Sequence, residues 1–526
     1  MATGAKTLTA WLPELLYADG RFVRGAALVA DAAGRVVAVT HAYERLGARV
    51  VPLKGRALLP GLVNAHSHSF QRVIRGRTEH RAAARDSFWT WREQMYAAAE
   101  RLAPADLYDA ARMAFLEMVL GGITAVGEFH YLHRAPGGDL YADPNLLAAE
   151  VVRAARDVGL RIALLRVAYA RAGFDTPPDP RQARFIEPDA ETFLTHTAEL
   201  GRTLARADDQ LISTDDQPTG ADVNAAGADA HEARTDAHAA GARAPRAAWV
   251  GVAPHSVRAV PLAYLQAVAA YARQRALVLH MHIAEQPAEL AACVREQGRT
   301  PVALLADEGV LDARFTAVHA VHVTPAEIDR LARAGAHVCA CPTPERNLGD
   351  GVVPADKFFA AGIPVALGTD SHVQIDLLED ARALEYHLRL QRLERAVLAP
   401  APTQTDAPPG QAAASSAQMN APPAQLSALA ARLFACATEA GARSIGAPGG
   451  ELAPGRAADF FTVALDDPSI AGAAAADLLP AVVFALARTA VRDVAVGGRL
   501  VVEDGRHAAQ GEIVTRFAKL QRKLWG

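Results

Sequence analysis

Short apolar runs rich in β-branched residues alternate with Ala/Leu/Arg-rich stretches through most of the chain. This alternation is typical of β-α units around a parallel sheet, whose strands are buried on both faces. Eight such runs occur, at residues 61–68, 122–130, 160–170, 247–256, 276–285, 315–322, 336–345 and 363–372. The pattern therefore predicts an α/β fold with an eight-stranded β/α barrel over residues 60–440.

Both ends of the chain follow another pattern. Residues 1–59 and 441–526 contain segments with period-two alternation, separated by glycine turns such as the one at Ala33–Gly34. Such segments read as short antiparallel strands. We therefore expect a small β-sandwich built from residues 1–59 and 441–526, with a helix at its C-terminal end.

Two segments interrupt these patterns. Residues 205–247 are rich in Ala, Asp, Gly and Thr, and residues 399–425 are rich in Pro, Ala and Ser. Neither composition can bury enough apolar surface to order itself, so both are expected to be flexible insertions in the barrel. His231 and His238 fall in the first insertion and are predicted to be solvated rather than functional.

Composition and charge restrict the possible partners. The net charge of −4 gives no electrostatic reason to expect nucleic acid or an anionic membrane as a partner. The four cysteines form no C-x-x-C pair, which favours a reducing compartment over a disulfide framework. The sequence shows neither a signal-peptide pattern nor a run of about 18 apolar residues, so we expect a cytoplasmic protein.

Ionisable side chains follow nearly every barrel run, at the end of the barrel where active sites form. A single H-x-H pair is a weak signal in a chain with 18 histidines, because each residue alone reads as a polar cap on a strand. Several such residues at the same end of successive strands favour a metal site with an open position for water. The residues concerned are His66, His68, His280, His282, His319 and Asp370.

With H-x-H on strand one, histidines on strands five and six and an aspartate on strand eight, the chain resembles the amidohydrolase superfamily. The resemblance implies that His66, His68, His282 and Asp370 are the metal ligands and that His280 is a strand neighbour. Two-metal members carry a carboxylated lysine on strand four. None of the five lysines here ends a barrel run, so one divalent ion is expected. Zinc is the first choice, although imidazole and carboxylate also accept iron and other divalent ions.

Glu285 stands three residues after His282, a spacing that resembles the deaminase branch of this superfamily. The metal of that branch makes hydroxide from water at neutral pH. The resemblance implies that Asp370 is the base, that Glu285 carries a proton to the leaving nitrogen, and that His319 stabilises the tetrahedral species.

A closer resemblance, to the formimidoylglutamate deiminase family, depends on seven short motifs: NAHSHSFQR, DSFWTWREQMY, AVGEFHYLH, APHSVRAV, HMHIAEQ, NLGDG and GTDSHV. It implies hydrolysis of N-formimino-L-glutamate to N-formyl-L-glutamate and ammonia, a reaction of histidine degradation. The two arginines of the implied pocket suit the two carboxylates of that small-molecule substrate. The substrate-binding residues implied by the match are Gln71, Arg92, Tyr131, His255 and Arg258.

Other interpretations remain open. The substrate of such a deaminase can instead be a purine, a cytosine or a guanidine-type compound, and the barrel can be a non-catalytic scaffold. Taken alone, Arg92 reads as a solvated helix residue or part of a salt bridge, and Arg258 as a loop cation. Barrels of this kind often form homodimers, but the sequence identifies no interface.

Several further residues have no assigned chemistry at this stage. The mixed spacing of the aromatic residues near position 90 predicts packing rather than ligand stacking, and the cysteines on strand seven are expected to pack in the core. His372 follows Asp370 without an assigned role. The aromatic residues and cysteines concerned are Phe88, Trp89, Trp91, Tyr96, Cys339 and Cys341.

Overall fold

The computed structural model of this chain describes residues 8–80, 88–174, 176–214, 244–400 and 423–526. The strands in chain order are β1 (Thr9–Ala18), β2 (Arg21–Arg24), β3 (Ala27–Ala30), β4 (Val36–Thr40), β5 (Arg49–Pro60), β6 (Leu62–Ser67), β7 (Ile123–His130), β8 (Arg161–Ala168), β9 (Ala248–Pro254), β10 (Leu279–Ile283), β11 (Phe315–His319), β12 (His337–Ala340), β13 (Val365–Leu367), β14 (Phe460–Ala464), β15 (Val491–Val496) and β16 (Arg499–Val502).

The helices connect and flank these strands, and a π-helical turn covers Cys436–Ala440. The α-helices are α1 (Phe88–Arg101), α2 (Pro104–Leu120), α3 (Leu146–Val158), α4 (Ala190–Thr214), α5 (Leu262–Arg275), α6 (Pro287–Gln297), α7 (Pro301–Asp307), α8 (Pro325–Ala334), α9 (Pro342–Leu348), α10 (Ala355–Ala360), α11 (Leu377–Arg392), α12 (Pro423–Ala435), α13 (Gly441–Ile445), α14 (Leu478–Ala485) and α15 (Gln510–Trp525).

Strands β6 to β13 lie side by side in chain order, and every pair between neighbours is parallel. A bridge between Ser67 and Asp370 joins the first strand to the segment after the last, which nearly closes the sheet into a barrel. Gly368 permits this approach, because a Cβ at that position would lie 2.7 Å from the Cβ of His66. Each of the eight apolar runs contains one of these strands, so the predicted barrel is confirmed.

The strands at the two chain ends form a separate mixed sheet in the order β16-β15-β14-β5-β1-β3-β4, with β2 paired to β1. Trp11 and Phe460 pack edge to face with 5.3 Å between ring centroids, which joins the N-terminal and C-terminal parts through an apolar core. The prediction that both ends contribute to one β unit is confirmed. The exact domain boundaries at residues 59 and 440 remain predictions.

Helix α13 closes the barrel at the N-terminal end of its strands. A Cβ on Gly441 would meet Val63 at the start of β6, and Ile445 O accepts a hydrogen bond of 2.7 Å from Trp249 Nε1 at the start of β9. Helix α13 therefore fills this end of the barrel.

Helix covers part of both segments that were expected to be insertions. Helix α4 continues to Thr214, and α12 begins at Pro423, so helix occupies both borders. Residues 215–243 and 401–422, with His231 and His238, lie outside the described residues. No helix among the described residues combines the length and apolar character needed to cross a bilayer.

Candidate metal centre and active site

Four side chains predicted to share an ion converge at the C-terminal end of the barrel. His66 Nε2 lies 3.1 Å from both His68 Nε2 and His282 Nε2, and Asp370 Oδ1 lies 3.3 Å from His66 Nε2 and 3.2 Å from His68 Nε2. A tetrahedral site with metal–nitrogen bonds of 2.0–2.1 Å places its donors about 3.3 Å apart. The spacing of these four buried groups therefore fits one divalent metal ion.

Their protonation states also suit a metal ion, which requires neutral imidazoles and an ionised carboxylate. Burial lowers the pKa of His66 to about 3 and lowers that of His282 well below its usual value. Burial alone would raise the pKa of Asp370, but hydrogen bonds with His66 and His68 hold it well below its usual range. At neutral pH the imidazoles of His66 and His282 are therefore neutral and the carboxyl of Asp370 is ionised.

Hydrogen bonds outside the cluster fix the ring of His68. Its Nδ1 lies 2.9 Å from the carbonyl oxygen of Phe129 and donates to it, which leaves Nε2 free to bind an ion. Glu128, on β7, accepts from Ser67 Oγ and from both N and Oγ of Ser69, at 2.5–2.7 Å. The residues on either side of His68 are thereby tied to the neighbouring strand.

His372, which had no role in the sequence analysis, links the two ligand-bearing segments. Its Nε2 lies 3.0 Å from Ser67 Oγ, and its Nδ1 lies 3.0 Å from Thr369 Oγ1. Because the Ser67 hydroxyl donates to Glu128, His372 Nε2 must be the donor and Nδ1 the acceptor. Burial lowers the pKa of His372 well below its usual value, consistent with this neutral form. His372 thus connects the segment of His66 and His68 to that of Asp370.

The predicted proton carriers lie next to the metal-type cluster. His319 Nε2 is 3.9 Å from Glu285 Oε1, and the ring of His319 stacks on that of His282 with centroids 5.5 Å apart. Burial raises the pKa of Glu285. Burial opposes protonation of His319, but Glu285 and Glu345 hold its pKa well above the usual value. Burial thus favours the protonated form of Glu285, and the neighbouring carboxylates favour the protonated form of His319.

Three residues at the same place have a strained backbone. The φ angles are +70° at His319, +41° at Asp370 and +60° at His372, all in the left-handed region that side chains other than glycine rarely occupy. Such strain persists only where the surroundings hold it, and it is typical of functional sites.

A cavity of about 550 Å³ lies above the cluster. All five residues predicted to bind substrate line it, as do Glu285, His319 and three of the four predicted metal ligands; His66 lies below. The predicted residues that line this cavity are His68, Gln71, Arg92, Tyr131, His255, Arg258, His282, Glu285, His319 and Asp370.

Two arginines lie at the outer part of this cavity. Arg258 is 8% exposed, and Arg92 stacks on Trp89 and Tyr96, with 4.6 and 5.4 Å from its Cζ to the ring centroids. The Nε atoms of both arginines are buried and have no hydrogen-bond partner among the described residues. Both side chains also line a second, more open cavity of about 970 Å³, so they separate the inner cavity from the outer one.

Other polar groups position the cavity wall. Gln71 Nε2 donates to Tyr131 OH at 2.7 Å, and no described residue donates to Gln71 Oε1. His255 packs on Tyr169 and His282, with centroids 4.6 and 4.8 Å apart. Burial, aided by Arg258, lowers the pKa of His255 well below its usual value, so this ring is neutral.

The aromatic residues near position 90, expected to pack rather than to stack on a ligand, also border the cavity. Phe88, Trp91 and Tyr96 line the inner cavity, and Trp89 supports Arg92. They belong to α1, a helix outside the regular β-α alternation that lies across the barrel mouth. Their irregular spacing therefore reflects contacts with both cavity and core.

Sequence reasoning assigned no role to four residues of this region. Glu128 holds the loop of His68, Glu345 contacts His319, and Tyr169 and Phe185 line the cavity. The signal for Glu345 and Tyr169 was present, because both stand in polar clusters after predicted strands. Cys339 and Cys341 are buried, as expected. No described lysine lies at the mouth; Lys54, Lys357, Lys519 and Lys523 are in β5, α10 and α15, and Lys6 is outside the described residues.

Comparison with known proteins agrees with this architecture. The model of the amidohydrolase family matches residues 57–501. The chain is 36% identical over 471 residues to a formimidoylglutamate deiminase of Pseudomonas aeruginosa, covering 89% of this chain and 90% of that protein. It is 29% identical to an 8-oxoguanine deaminase of the same species, covering 93% and 92% of the two chains.

A solved structure of an amidohydrolase from Brucella melitensis superposes with a TM-score of 0.79 at 29% identity, covering 99% of this chain and 100% of that one. The barrel, the terminal sheet and the buried cluster of three histidines and one aspartate thus agree with the sequence matches over nearly the whole chain. The chain belongs to the amidohydrolase family.

Proposed function

We propose that this protein hydrolyses N-formimino-L-glutamate to N-formyl-L-glutamate and ammonia. The observation that carries the proposal is the pairing of a metal-type cluster at the cavity floor with two arginines, Arg92 and Arg258, at its mouth. The similarity to the formimidoylglutamate deiminase of Pseudomonas aeruginosa supports the same substrate. In this reaction the formimino carbon gains a bond to the oxygen of water and loses its bond to the terminal nitrogen.

The arginines supply the recognition. Each guanidinium has a buried nitrogen without a partner among the described residues, and a carboxylate can accept from it. A charged hydrogen bond of this kind contributes roughly 1.5–3 kcal/mol, so the two carboxylates of the substrate account for much of its binding. With both carboxylates held at the mouth, the formimino group reaches down towards the floor.

The floor supplies the chemistry. We propose that His66, His68, His282 and Asp370 hold one zinc ion, because imidazole nitrogens and carboxylate oxygens are ligands that zinc takes in proteins. Such an ion lowers the pKa of a coordinated water to about 7. Asp370 Oδ1 is turned towards His66 and His68, so Oδ2 remains to accept the proton of the attacking water.

The remaining proton transfers involve Glu285 and His319. Because burial raises its pKa, Glu285 can hold a proton and deliver it to the departing nitrogen. His319 Nε2 lies 3.9 Å from Glu285 Oε1. It can stabilise the tetrahedral species by donating a hydrogen bond to an oxygen or nitrogen bound to the reacting carbon. The aromatic wall, with Trp91, Tyr131 and Tyr169, excludes water from this end of the cavity.

A heterocyclic substrate is the second candidate, because the same aromatic residues could stack on a purine or pyrimidine. A substrate panel on metal-loaded protein separates the candidates: ammonia release is measured with formiminoglutamate, guanine, adenosine, cytosine and a guanidine compound. We expect turnover of formiminoglutamate, and much slower turnover of formiminoglycine, which has one carboxylate. Activity on a base alone would exclude the proposed substrate.

Metal analysis of the same sample tests the zinc assignment. We expect about one zinc per chain after reconstitution, whereas a chain that retains no divalent ion would favour the non-catalytic scaffold. A cytoplasmic location and a homodimer remain predictions from the sequence.

A further inference from the structure

Glu345 is a buried carboxylate next to the site, and the proposed reaction gives it no role. It lies in the first turn of α9, directly after β12, and is 2% exposed. Its Oε1 is 3.2 Å from His319 Nδ1, and the same oxygen accepts a hydrogen bond of 2.8 Å from the backbone N–H of Cys341. The carboxylate is thus anchored by the chain on one side and contacts the imidazole on the other.

The ring of His319 needs such a restraint. Its backbone is in the left-handed region, at the end of β11, and its ring can in principle rotate by half a turn. A half-turn would put Cδ2 in the place of Nδ1 and Cε1 in the place of Nε2, so that no nitrogen would face Glu345 and Nε2 would no longer face Glu285. An acceptor fixed at Nδ1 selects one orientation and keeps a proton on that nitrogen.

We propose that Glu345 is a positioning residue for the deimination: it accepts the Nδ1–H of His319 and so holds Nε2 towards the reacting carbon. This inference depends on the proposed function for its kinetic consequences, but its hydrogen-bond prediction does not. The carboxylate of Glu345 acts through His319 and does not touch the substrate, since it does not line the cavity.

Glu345→Leu removes the acceptor at similar volume. We expect kcat to fall about 10- to 100-fold, the usual cost of losing such a supporting partner, with KM within about twofold of the parent value and the metal content unchanged. Glu345→Gln should restore most of kcat. The amide oxygen rather than its NH2 group will face His319, because Cys341 N–H needs the same acceptor.

A double-mutant cycle tests whether Glu345 acts through His319. In the background of His319→Asn, Glu345→Leu should lower kcat by less than about twofold further, because the ring to be positioned is gone. Three outcomes would overturn the inference. The losses of kcat from Glu345→Leu and His319→Asn could be fully additive, kcat of Glu345→Leu could stay within about twofold of the parent value, or Glu345→Gln could fail to restore kcat.

Glu327 offers a matched control. It is 3% exposed, lies in the first turn of α8, and accepts hydrogen bonds of 2.9 Å from Thr324 N and Oγ1. Glu327→Leu should lower the melting temperature, yet leave kcat unchanged. A similar fall of kcat in both variants would indicate that Glu345 is only structural.

A spectroscopic readout needs neither turnover nor a folded Leu variant. In 15N-histidine NMR spectra of the metal-loaded parent protein, assigned by comparison with His319→Asn, Nδ1 of His319 should carry a proton. A ring protonated only at Nε2 would overturn the inference even if formiminoglutamate is turned over. Conversely, a protonated Nδ1 in a protein inactive towards formiminoglutamate would refute the proposed function alone.

Discussion

Two H-x-H pairs occur in this barrel, and they use their histidines differently. At the end of β6, both His66 and His68, the residue just after the strand, reach the metal-type cluster, with 3.1 Å between their Nε2 atoms. On β10, only His282 does so; Nε2 of His280 instead lies 2.8 Å from the carbonyl oxygen of Ser444 on α13, the helix that closes the opposite end. The same H-x-H spacing thus provides two candidate ligands at the end of β6 and one on β10.

The difference is one of height along the barrel. Residues two apart in a strand point the same way but lie about 6.6 Å apart along it. His280 belongs to the lower layer for this reason. His68 avoids that separation because β6 ends at Ser67, and the chain turns into a short 3-10 helix over Ser69–Ile74. Position relative to the strand end, rather than the motif, decides which histidine can bind an ion.

The strongest test of this comparison substitutes the two histidines of β10 in the same way. His282→Gln should lose most of the bound metal and lower kcat at least about a thousand-fold, because both a ligand and the ordering of the attacking water are lost. His280→Gln should keep the metal and most of the activity. Metal content by elemental analysis and ammonia release measure both effects.

Equal metal loss in the two variants would contradict the conclusion that only His282 lies at the level of the metal-type cluster. Thermal unfolding of both variants is the necessary control, since His280 and His282 are both buried and either replacement can affect stability. An intact fold in His282→Gln without metal would confirm that the loss is local.

A second test concerns the level above the cluster, where Arg92 lies on α1. Arg92→Met removes the guanidinium but keeps much of the apolar stem, and we expect kcat/KM to fall roughly 10- to 100-fold, equivalent to about 1.5–3 kcal/mol. A rise in KM alone indicates uniform binding, whereas a fall in kcat indicates that Arg92 also places the formimino group. Steady-state kinetics with formiminoglutamate distinguish the two.

Arg101→Met is the control, because Arg101 lies at the other end of α1 and donates to the carbonyl oxygen of Leu524. Analogues of the substrate that lack one carboxylate or the other sharpen the test: the penalty of Arg92→Met should disappear with one of them. Unchanged kinetics with the full substrate would remove Arg92 from the recognition site.

The sequence predicted the barrel well, because parallel strands are buried on both faces and therefore appear as continuous apolar runs. It also predicted which residues end those strands, and the family resemblance distinguished His282 from His280. The sequence could not show that α1 crosses the mouth and turns Phe88 and Trp91 into the cavity, since this depends on contacts between distant segments. The position of Glu345 near a strand end was visible in the sequence, but its contact with His319, 26 residues away in the chain, was not.

The smallest expected effect concerns His280, and it changes the free energy of unfolding rather than the activity. Burial lowers the pKa of His280 to about 4, whereas the pKa of histidine in an unfolded chain is about 6.5. Between these values the unfolded chain binds a proton that the folded chain does not. Acidification from pH 6.5 towards 4 therefore destabilises the fold, and above pH 6.5 the effect vanishes.

At pH 5.5 this linkage costs about 1.4 kcal/mol of unfolding free energy. In urea unfolding at pH 7.5 and 5.5, His280→Gln should lose about 1.4 kcal/mol less than the parent, because glutamine does not titrate but can still donate to Ser444 O. Replacing the exposed His41 in the same way controls for the loss of a histidine as such. If His280→Gln shows the parent's pH dependence as well, His280 is not the neutral, buried donor that its place in the lower layer requires.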